Sequence, residues 1–344
     1  MSIRYIDGFE DYATADLTNG NWTIKAGTVV ISAGNGRNGS SLRCGAANGS
    51  NISKVLDSQA TWIIGFAFRT TTLGTTPILR LNDSGVDQVD LVVNTDGTLS
   101  VTRAGTAVTG GQSVSSLSIN TWYYIEFKVT IADSIGAGTC KVRVNGVDWI
   151  TVATGQDLKN TANATANMIT LGIIGAPSSN PFLDFDDLYI CDGVAGAVSG
   201  DNDFLGDLRV DSLLPTGAGT TTQWTPDSGS NYARVNEATP DTTSYVASST
   251  VNNIDTYAMG DTPATSSKIW AVQSGLVCRK MDAGSRSVAP VVHGADGDKV
   301  GTTVSVYDSY FNEIQVYEQN PLTSPADWTD TSLNGIEFGA KLVT

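Results

Sequence analysis

Residues 121–153 contain three strand-like runs and one clear turn, in the sequence TWYYIEFKVTIADSIGAGTCKVRVNGVDWITVA. In the first run, apolar and polar side chains alternate, which is typical of a strand with one buried and one exposed face. The apolar face comprises Tyr123, Ile125, Phe127, Val129 and Ile131, and the opposite face comprises Trp122, Glu126, Lys128 and Thr130. This pattern predicts a half-buried β-strand.

The turn is Asn145-Gly146, which lies between two alternating runs. Asn-Gly favours a two-residue hairpin turn because both turn residues need a positive φ. Such a turn sets the register, and the predicted facing pairs are Val144 with Val147, Arg143 with Asp148, and Val142 with Trp149. The three Val residues and Trp149 should therefore be buried, while Arg143 and Asp148 should form an opposite-charge pair on the exposed face. We expect this hairpin to be central to an antiparallel sandwich.

The remainder of the chain also has the character of a β protein. At 344 residues it has room for about two domains. Charged residues are sparse and Gly is abundant. No amphipathic helical pattern of two turns or more stands out before the C-terminal end. The sequence therefore predicts an all-β chain.

Further strands are predicted along the chain, separated by turns that contain Gly, Asn and Asp. They cover residues 3–12, 61–70, 87–93, 99–103, 168–174, 182–191, 269–281, 303–317 (two strands) and 335–343. In the run 182–191, Phe185 falls on one face while Leu188 and Ile190 fall on the other, which predicts a β-bulge at Asp186-Asp187. Ser324 and Pro325 indicate the start of a short helix, with Ser324 as the N-cap.

The charge of the chain argues against two classes of partner. Its formal net charge is −15, and no run of five basic residues occurs. Nucleic-acid binding depends on clustered Lys and Arg, and anionic membranes require the same. We therefore expect neither nucleic acid nor a membrane as a partner.

The start of the chain and its cysteines bear on location. No basic stretch leads into an apolar stretch after Met1, and no apolar run approaches the about 20 residues of a spanning helix. This predicts a soluble protein made in the cytosol. Cys44, Cys140, Cys191 and Cys278 stand singly, which predicts reduced thiols rather than a zinc site.

Five segments, taken in order, carry a resemblance to a known family: DGFEDY, GRNGSSLR, WYYIEFKV, KVRVNGV and FLDFDDLYICDG. Together they resemble the laminin-G-like, concanavalin A-like jelly roll, especially the version found in structural proteins of tailed bacteriophages. The resemblance covers residues 1–195. Residues 196–206 have the small, polar composition of a linker. Residues 207–344 look like the downstream module of phage virion proteins, which implies a second β-sandwich.

Enzymatic sites find little support in the sequence. A glycoside hydrolase needs two facing carboxylates, and none of the six Glu stands in the setting of a sandwich glucanase. Asp184 and Asp186 could share a strand face, but a carboxyl pair that bonds loop backbone is the favoured interpretation. The single His293 has no nucleophile motif with it. We predict no catalytic residue and no cofactor.

Two loops concentrate oxygen atoms where sandwich lectins hold calcium or sugar. Asn82, Asp83 and Asp87 flank one turn, and Asp296 and Asp298 flank another. Neither loop has the ligand spacing of a defined calcium site, so turn formation is the favoured interpretation and calcium the alternative. Asn82, Asp83 and Asp87 are the predicted ligand-binding residues.

The resemblance implies a non-enzymatic virion protein of a tailed phage, in the tail, fibre or baseplate region, assembled in the host cytoplasm. Its expected partners are other virion proteins and a host surface glycan. We also expect a homo-oligomer, with a trimer favoured, formed through exposed aromatic residues of the second module, namely Trp224, Tyr232, Tyr245 and Tyr257, and the alternative is that these residues are ordinary sandwich core. The alternatives are a capsid decoration protein, a free polysaccharide-binding module and a depolymerase.

Overall fold

The computed structural model describes residues 2–45, 48–133, 138–263, 268–322 and 326–344. Its contacts divide the chain into two units. The first unit comprises Met1–Phe9 and Trp22–Val210, and the second comprises Glu10–Asn21 and Asp211–Thr344. About 51% of the chain is strand and 5% helix, which confirms the predicted all-β class.

The first unit has fifteen strands within the described residues. In chain order they are β1 (Ile3–Asp7), β2 (Ile24–Ala26), β3 (Val29–Ser32), β4 (Ser41–Cys44), β5 (Asn51–Gln59), β6 (Thr61–Thr70), β7 (Thr76–Asp83), β8 (Val86–Val93), β9 (Thr98–Arg103), β10 (Thr106–Ser116), β11 (Tyr123–Thr130), β12 (Gly138–Val144), β13 (Val147–Gln156), β14 (Ala166–Gly172) and β15 (Leu183–Asp192). The run predicted over residues 61–70 matches β6 at both ends.

These strands form two antiparallel sheets. Sheet 1 has the order β13-β12-β11-β6-β15-β4-β3, and β1 also pairs with β15. Sheet 2 has the order β10-β9-β8-β7-β14-β5-β2. Neighbouring strands are often distant in sequence, as β6 and β15 are, and this is the connectivity of a jelly-roll sandwich. The predicted fold of the first unit is confirmed.

The core of the first unit contains aromatic residues from adjacent strands of sheet 1. Phe66, Phe68 and Phe185 are buried, and the ring of Phe185 lies 5.5 Å from that of Phe66 and 5.4 Å from that of Phe68. Gly65 interrupts this apolar strand because the ring of Tyr189 on β15 covers it. A Cβ atom at Gly65 would lie 2.1 Å from the Cε1 atom of Tyr189.

The central strand β15 contains the predicted bulge. Its pairing with β6 shifts register between Asp186 and Tyr189, and Asp187 has a φ of 49°. On its other edge, β15 pairs with β4 before the bulge and with β1 after it. The bulge therefore lies where β15 changes its partner, and the prediction at Asp186-Asp187 is confirmed.

The 145–146 hairpin is present as β12 and β13, but it lies at the edge of sheet 1 and not at its centre, and its register was predicted only in part. Val144 faces Val147, and Arg143 faces Asp148 with 2.7 Å between Nε and Oδ1, as expected. The register then shifts, so that Val142 faces Ile150 instead of Trp149. Consequently Ile150 is buried, whereas Val147 is 62% exposed and Trp149 only half-buried. The prediction of burial was wrong for both residues: a bulge after Asp148 displaces Trp149, and Val147, although in the predicted register, lies exposed beside the turn.

Residues 193–210, here called the covering segment, lie on the outer face of sheet 1. Glu126, predicted to be exposed on β11, is buried there and accepts hydrogen bonds from the Gly206 backbone N–H and the Tyr189 hydroxyl, at 2.8 and 2.6 Å. Lys128 contacts Asp203 at 3.1 Å. The predicted linker 196–206 therefore belongs to the first unit, because buried polar groups of the sheet bind it.

Two charged side chains, those of Lys54 and Asp7, lie at the inner face of the first unit. Lys54 on β5 shares that face with Ile52, and its ammonium lies 4.1 Å from the ring centroid of Tyr5. The buried Asp7 carboxylate accepts hydrogen bonds from the Tyr5 hydroxyl and the Trp22 indole, at 2.8 and 2.9 Å. Burial lowers the pKa of Lys54 to about 8, although Asp7 opposes this shift.

The second unit has twelve strands within the described residues. They are β16 (Pro215–Thr222), β17 (Thr225–Pro226), β18 (Val246–Ala247), β19 (Ile254–Met259), β20 (Val272–Cys278), β21 (Arg286–Gly294), β22 (Gly297–Val300), β23 (Val304–Val306), β24 (Phe311–Tyr317), β25 (Gln319–Asn320), β26 (Ala326–Asp327) and β27 (Glu337–Leu342). Six form a sheet in the order β16-β19-β27-β21-β22, with β23 also paired to β21. The others form pairs, including β20-β24.

The β20-β24 pair covers one face of the six-stranded sheet. Val272 and Leu276 of β20 and Tyr317 of β24 pack against Val292 and Val288 of β21, among other apolar residues. The second unit is therefore a smaller β-sandwich. The two strands predicted over residues 303–317 are β23 and β24.

Helices are short. Helical turns span Thr14–Asp16, Leu17–Asn21 and Asn231–Arg234, and α1 spans Asp330–Asn334. Thr329 caps α1, because its hydroxyl accepts the Ser332 N–H while the Ser332 hydroxyl accepts the Thr329 N–H. The predicted N-cap Ser324 and the following Pro325 lie outside the described residues.

Two sequence predictions about single residues have clear outcomes. All four cysteines are free thiols, three of them buried. Of the aromatic residues expected to be exposed in the second unit, Tyr245 is exposed, and Trp224 and Tyr232 are half-buried. Tyr257 is buried, so the prediction was wrong for that residue. Its hydroxyl donates to the buried Asp255 at 2.7 Å.

Candidate functional site

The predicted ligand-binding residues flank the β7–β8 turn, and the structure brings two of them together. Asn82 faces Asp87, and its amide donates to the Asp87 carboxylate at 3.1 Å. Asp83 is directed elsewhere, because it accepts hydrogen bonds from the Thr161 hydroxyl and the Asn163 amide, at 2.6 and 3.0 Å. These hydrogen bonds keep the pKa of Asp83 low, although burial opposes the shift.

Arg80 links this turn to the outer face of sheet 2. Its guanidinium donates to both oxygens of Asp90, at 2.7 and 3.0 Å, and its Nη1 lies 2.8 Å from Asp87. Asp90 is buried, and burial raises its pKa although Arg80 lowers it. The side-chain oxygen atoms of the predicted ligand-binding residues therefore largely accept hydrogen bonds or ion pairs from other groups of the protein.

Gln88, which sequence reasoning missed, binds the loop beside this turn. Its amide nitrogen donates to Thr161, Asn163 and Thr165, each at 2.9 Å. Its amide oxygen accepts the N–H groups of Asn160 and Thr161, at 2.5 and 3.2 Å. A Gln that follows an acidic residue in a strand gives no sequence signal of this role. The turn and the loop form one hydrogen-bonded unit.

The carboxylates of Asp184 and Asp186 do not act as a pair, because each has its own partners. Asp186 accepts the backbone N–H groups of Arg37 and Asp187, at 2.7 and 2.8 Å, as expected for a carboxyl group at a strand bend. Asp184 is completely buried and binds two arginine side chains instead. This arrangement lacks the facing carboxylates of a glycoside hydrolase.

The two arginines belong to a surface that we call the arginine–aromatic face, and they flank Asp184 on neighbouring strands. Asp184 pairs with Arg43 on β4 and with Arg69 on β6. Both arginines place their Nε and Nη2 groups on the Asp184 carboxylate, at 2.7 to 3.1 Å. The face consists of Asn35, Arg43, Arg69, Trp122, Phe182 and Asp184.

Aromatic rings and one loop complete this face. The guanidinium carbon of Arg69 lies 4.8 Å from the ring centroid of Trp122, and that of Arg43 lies 5.7 Å from the ring of Phe182. Asn35, in the Gly-rich loop GNGRNG, accepts from Arg43 with its side chain and from Arg69 with its backbone, at 3.2 and 3.0 Å. Both arginine side chains remain about a quarter exposed, and Phe182 is 43% exposed.

Sequence reasoning did not find this face. Its residues come from five separate segments, and only strand pairing places Arg43 and Arg69 on either side of Asp184. The available signal was weak: Arg43 and Arg69 are single basic residues on their strands, and Asp184 is one of four Asp on β15.

In the second unit, the predicted loop pairs with the single histidine. His293 faces Asp298 across the β21–β22 hairpin, with 2.6 Å between Nδ1 and Oδ1. Glu337 on the neighbouring β27 accepts hydrogen bonds from Thr256 and Thr220. Burial opposes the shift, but these hydrogen bonds lower the pKa of Glu337. His293 thus pairs with a carboxylate in an exposed turn and lacks a neighbouring nucleophile motif.

In the parts of the chain that the structure describes, no three His, Cys, Asp or Glu side chains converge to hold a metal ion. Nor does any helix there have the length and apolar character needed to cross a membrane.

Comparisons with known proteins give a fold likeness only. No protein-family model matches the sequence, and no curated protein matches it. Among solved structures, the cellulose-induced protein Cip1 is 15% identical with a TM-score of 0.40, over 54% of this chain and 96% of that chain. Alginate lyase Aly36B is 11% identical with a TM-score of 0.36, over 53% and 91%. Domain 4 of AbnA, a GH43 extracellular arabinanase from Geobacillus stearothermophilus solved with arabinotriose, is 17% identical with a TM-score of 0.35, over 53% and 93%.

Proposed function

We propose that this chain is a non-enzymatic structural protein of a tailed-phage particle, in the tail, fibre or baseplate region. There it contacts other virion proteins, and its first unit contacts a host surface glycan. The five sequence segments that resemble phage structural proteins support the particle role. This part of the proposal rests on likeness of sequence rather than on a site.

The observation that carries the glycan contact is the arginine–aromatic face. Phe182 offers an exposed ring, and aromatic rings pack against the apolar C–H faces of sugars. Arg43 and Arg69 add partly exposed polar groups whose orientation is already set by Asp184. Ligand sites characteristically combine such apolar surface with a few positioned polar groups.

We propose that the chain is not a hydrolase because the carboxylates of Asp184, Asp90 and Asp186 are already bound by other groups of the protein. Asp184 and Asp90 are each held by arginine, and Asp186 by backbone N–H groups. A hydrolase would need one protonated and one ionised carboxyl group facing each other across a cleft.

Two measurements test this proposal. Mass spectrometry of purified particles should find the chain, and its absence would refute the particle role. The purified chain should bind immobilised host polysaccharide without releasing reducing ends. Release of reducing ends would identify a depolymerase instead, and binding by a protein absent from particles would identify a free binding module.

We further propose that the chain assembles as a homo-oligomer, with a trimer favoured. The strongly acidic copies repel each other, so contacts must be apolar or hydrogen-bonded. The exposed Tyr245 and the half-buried Trp224 and Tyr232 suit such contacts. Light scattering across concentration should show a mass near three chains. A monomer that docks onto capsids would favour the decoration role.

A further inference from the structure

We propose that the arginine–aromatic face binds a sugar that bears a carboxylate, a uronic acid, through the Nη1 groups of Arg43 and Arg69. This inference rests on the proposed glycan contact and specifies its chemistry. It distinguishes acidic polysaccharides from neutral ones as the ligand of this surface.

Arg43 and Arg69 use only some of their hydrogen-bond donors within the described part of the chain. In each arginine, Nε and Nη2 donate to Asp184, and Nη2 also donates to Asn35. Within the described part of the chain, neither Nη1 group has a hydrogen-bond acceptor, so each arginine retains two N–H donors. Arg80 on sheet 2 differs, because its Nη1 is already paired with Asp87 at 2.8 Å.

The Nη1 groups of Arg43 and Arg69 are held in place before a ligand arrives. The buried Asp184 carboxylate fixes both guanidinium groups from below, and the rings of Trp122 and Phe182 lie beside them. A side chain ordered in advance loses less conformational entropy on binding. Because Nε and Nη2 are already used, each arginine offers a ligand one charged nitrogen, Nη1, and a charge-assisted hydrogen bond to a carboxylate is stronger than one to a neutral hydroxyl group.

The charges around the arginine–aromatic face also bear on the binding of an acidic sugar. The two arginines share one carboxylate, so the face carries one excess positive charge. Arg37 nearby is paired with Asp187 and Asp207, and the buried Asp186 receives two backbone N–H groups. The chain as a whole has a net charge of −15 and repels acidic polymers at long range. With Arg37, Asp186, Asp187 and Asp207 included, this neighbourhood has a formal charge of −1, so a preference for an acidic sugar must come from the positioned Nη1 donors rather than from net charge.

The test compares two ligands of equal length and stereochemistry, tetragalacturonate and its methyl ester, by calorimetric titration of the whole chain at pH 7. The ester removes the negative charges and keeps the rings. Loss of a charge-assisted hydrogen bond typically lowers affinity by about tenfold or more. We expect the acid to bind at least about tenfold more tightly than the ester.

Matched variants locate the contact. Arg43→Lys and Arg69→Lys keep the positive charge but lose the Nη1 donor that the contact with Asp184 holds in place, and each should weaken acid binding by about tenfold. Arg80→Lys is the control, since Arg80 has a similar bidentate contact and similar exposure but no unused Nη1. Phe182→Ala, which leaves the ion pairs intact, should weaken binding of both ligands alike. Thermal unfolding checks that each variant is folded.

The outcomes separate this inference from the proposed function. Equal binding of acid and ester would overturn the inference and keep the glycan contact. Binding of neither would overturn the inference, whereas the glycan contact is overturned only if immobilised host polysaccharide also fails to bind. Acid preference that survives Arg43→Lys and Arg69→Lys would also overturn the assignment to this face. The acid–ester comparison needs only the unaltered chain, so a misfolded variant leaves the test intact.

Discussion

Lys54 gives the chain a pH dependence that a single substitution should remove. The residue lies on the inner face of sheet 2 beside the ring of Tyr5, and burial lowers its pKa from 10.5 to about 8. Lys54→Met keeps the length of the side chain and replaces the ammonium with an apolar group. The variant should therefore be more stable than the wild-type chain at neutral pH.

The magnitude follows from the two pKa values. A gap of about 2.5 between the unfolded and folded pKa corresponds to about 3 kcal/mol of stability, which is an upper value because the side chain is only half-buried. Below pH 8 the native state carries the full cost of a buried ammonium. Between pH 8 and 10.5 the unfolded state binds more protons than the native state, so wild-type stability rises with pH by up to about 1.4 kcal/mol per pH unit. The advantage of Lys54→Met should shrink across that window.

Other groups titrate in the same range with the opposite sign. Burial raises the pKa of Cys140 to about 12, and it also raises the pKa of Cys44 and Tyr189. As pH rises above about 9, the unfolded state loses these protons first, so stability falls. The difference between wild type and variant cancels this contribution, whereas the wild-type profile alone mixes the two.

The assay is urea unfolding of both proteins at pH 7, 8, 9 and 10, followed by fluorescence of buried tryptophans such as Trp22 and Trp62. Lys25→Met on neighbouring β2, where the side chain is exposed, controls for the loss of one charge. A stability difference between Lys54→Met and wild type that stays constant from pH 7 to 10 would refute the reasoning.

Three further predictions concern the first unit. Asp184→Asn should destabilise it by about 3 kcal/mol, because two arginines lose their buried carboxylate. Asp133→Asn, at an exposed ion pair with Lys159, should leave the unfolding midpoint unchanged, and equal effects would contradict the burial argument. In the hairpin, Ile150→Ala should cost about 2–4 kcal/mol in the free energy of unfolding and Val147→Ala less than about 0.5, whereas the reverse order would show that the register has no bulge. Gly65→Ala should cost about 1–3 kcal/mol because its Cβ would overlap the Tyr189 ring, and a neutral result in thermal unfolding would mean that the ring can move.

Local pattern predicted the elements of the first unit but not every register. The alternation in residues 123–131 and the Asn145-Gly146 turn gave the correct strands, because both depend on near neighbours. The bulge at Trp149 was missed although the apolar parity changes there, from Val147 and Trp149 to Ile150 and Val152, because the two-residue turn was taken to set the register of the whole hairpin. The bulge at Asp186-Asp187 was found because there the parity of the apolar residues visibly changes.

The predictions that failed depend on contacts between distant segments. The sequence pattern predicts that Glu126 is exposed and that residues 196–206 are a linker. Neither pattern shows that residues 196–206 cover Glu126. The same limit applies to the site, where ligand binding by the predicted residues stays a prediction. Asn82, Asp83 and Asp87 were chosen for their oxygens, yet Arg80, Thr161 and Asn163 bind those oxygens. Arg43 and Arg69 become neighbours only through β15.

The position of β15 also sets the order in which the first unit can form. This central strand lies near the end of the unit, and its partner β1 lies at the beginning: Ser2 and Asp192, which are hydrogen-bonded, are 190 positions apart. During synthesis, β1, β4 and β6 leave the ribosome early. They cannot pair with β15, their shared neighbour, until residues 183–192 have also emerged. Folding dominated by such distant pairings is slow, and unpaired strands are prone to aggregate in the interval. A chain that ends before Leu183 should therefore stay unfolded.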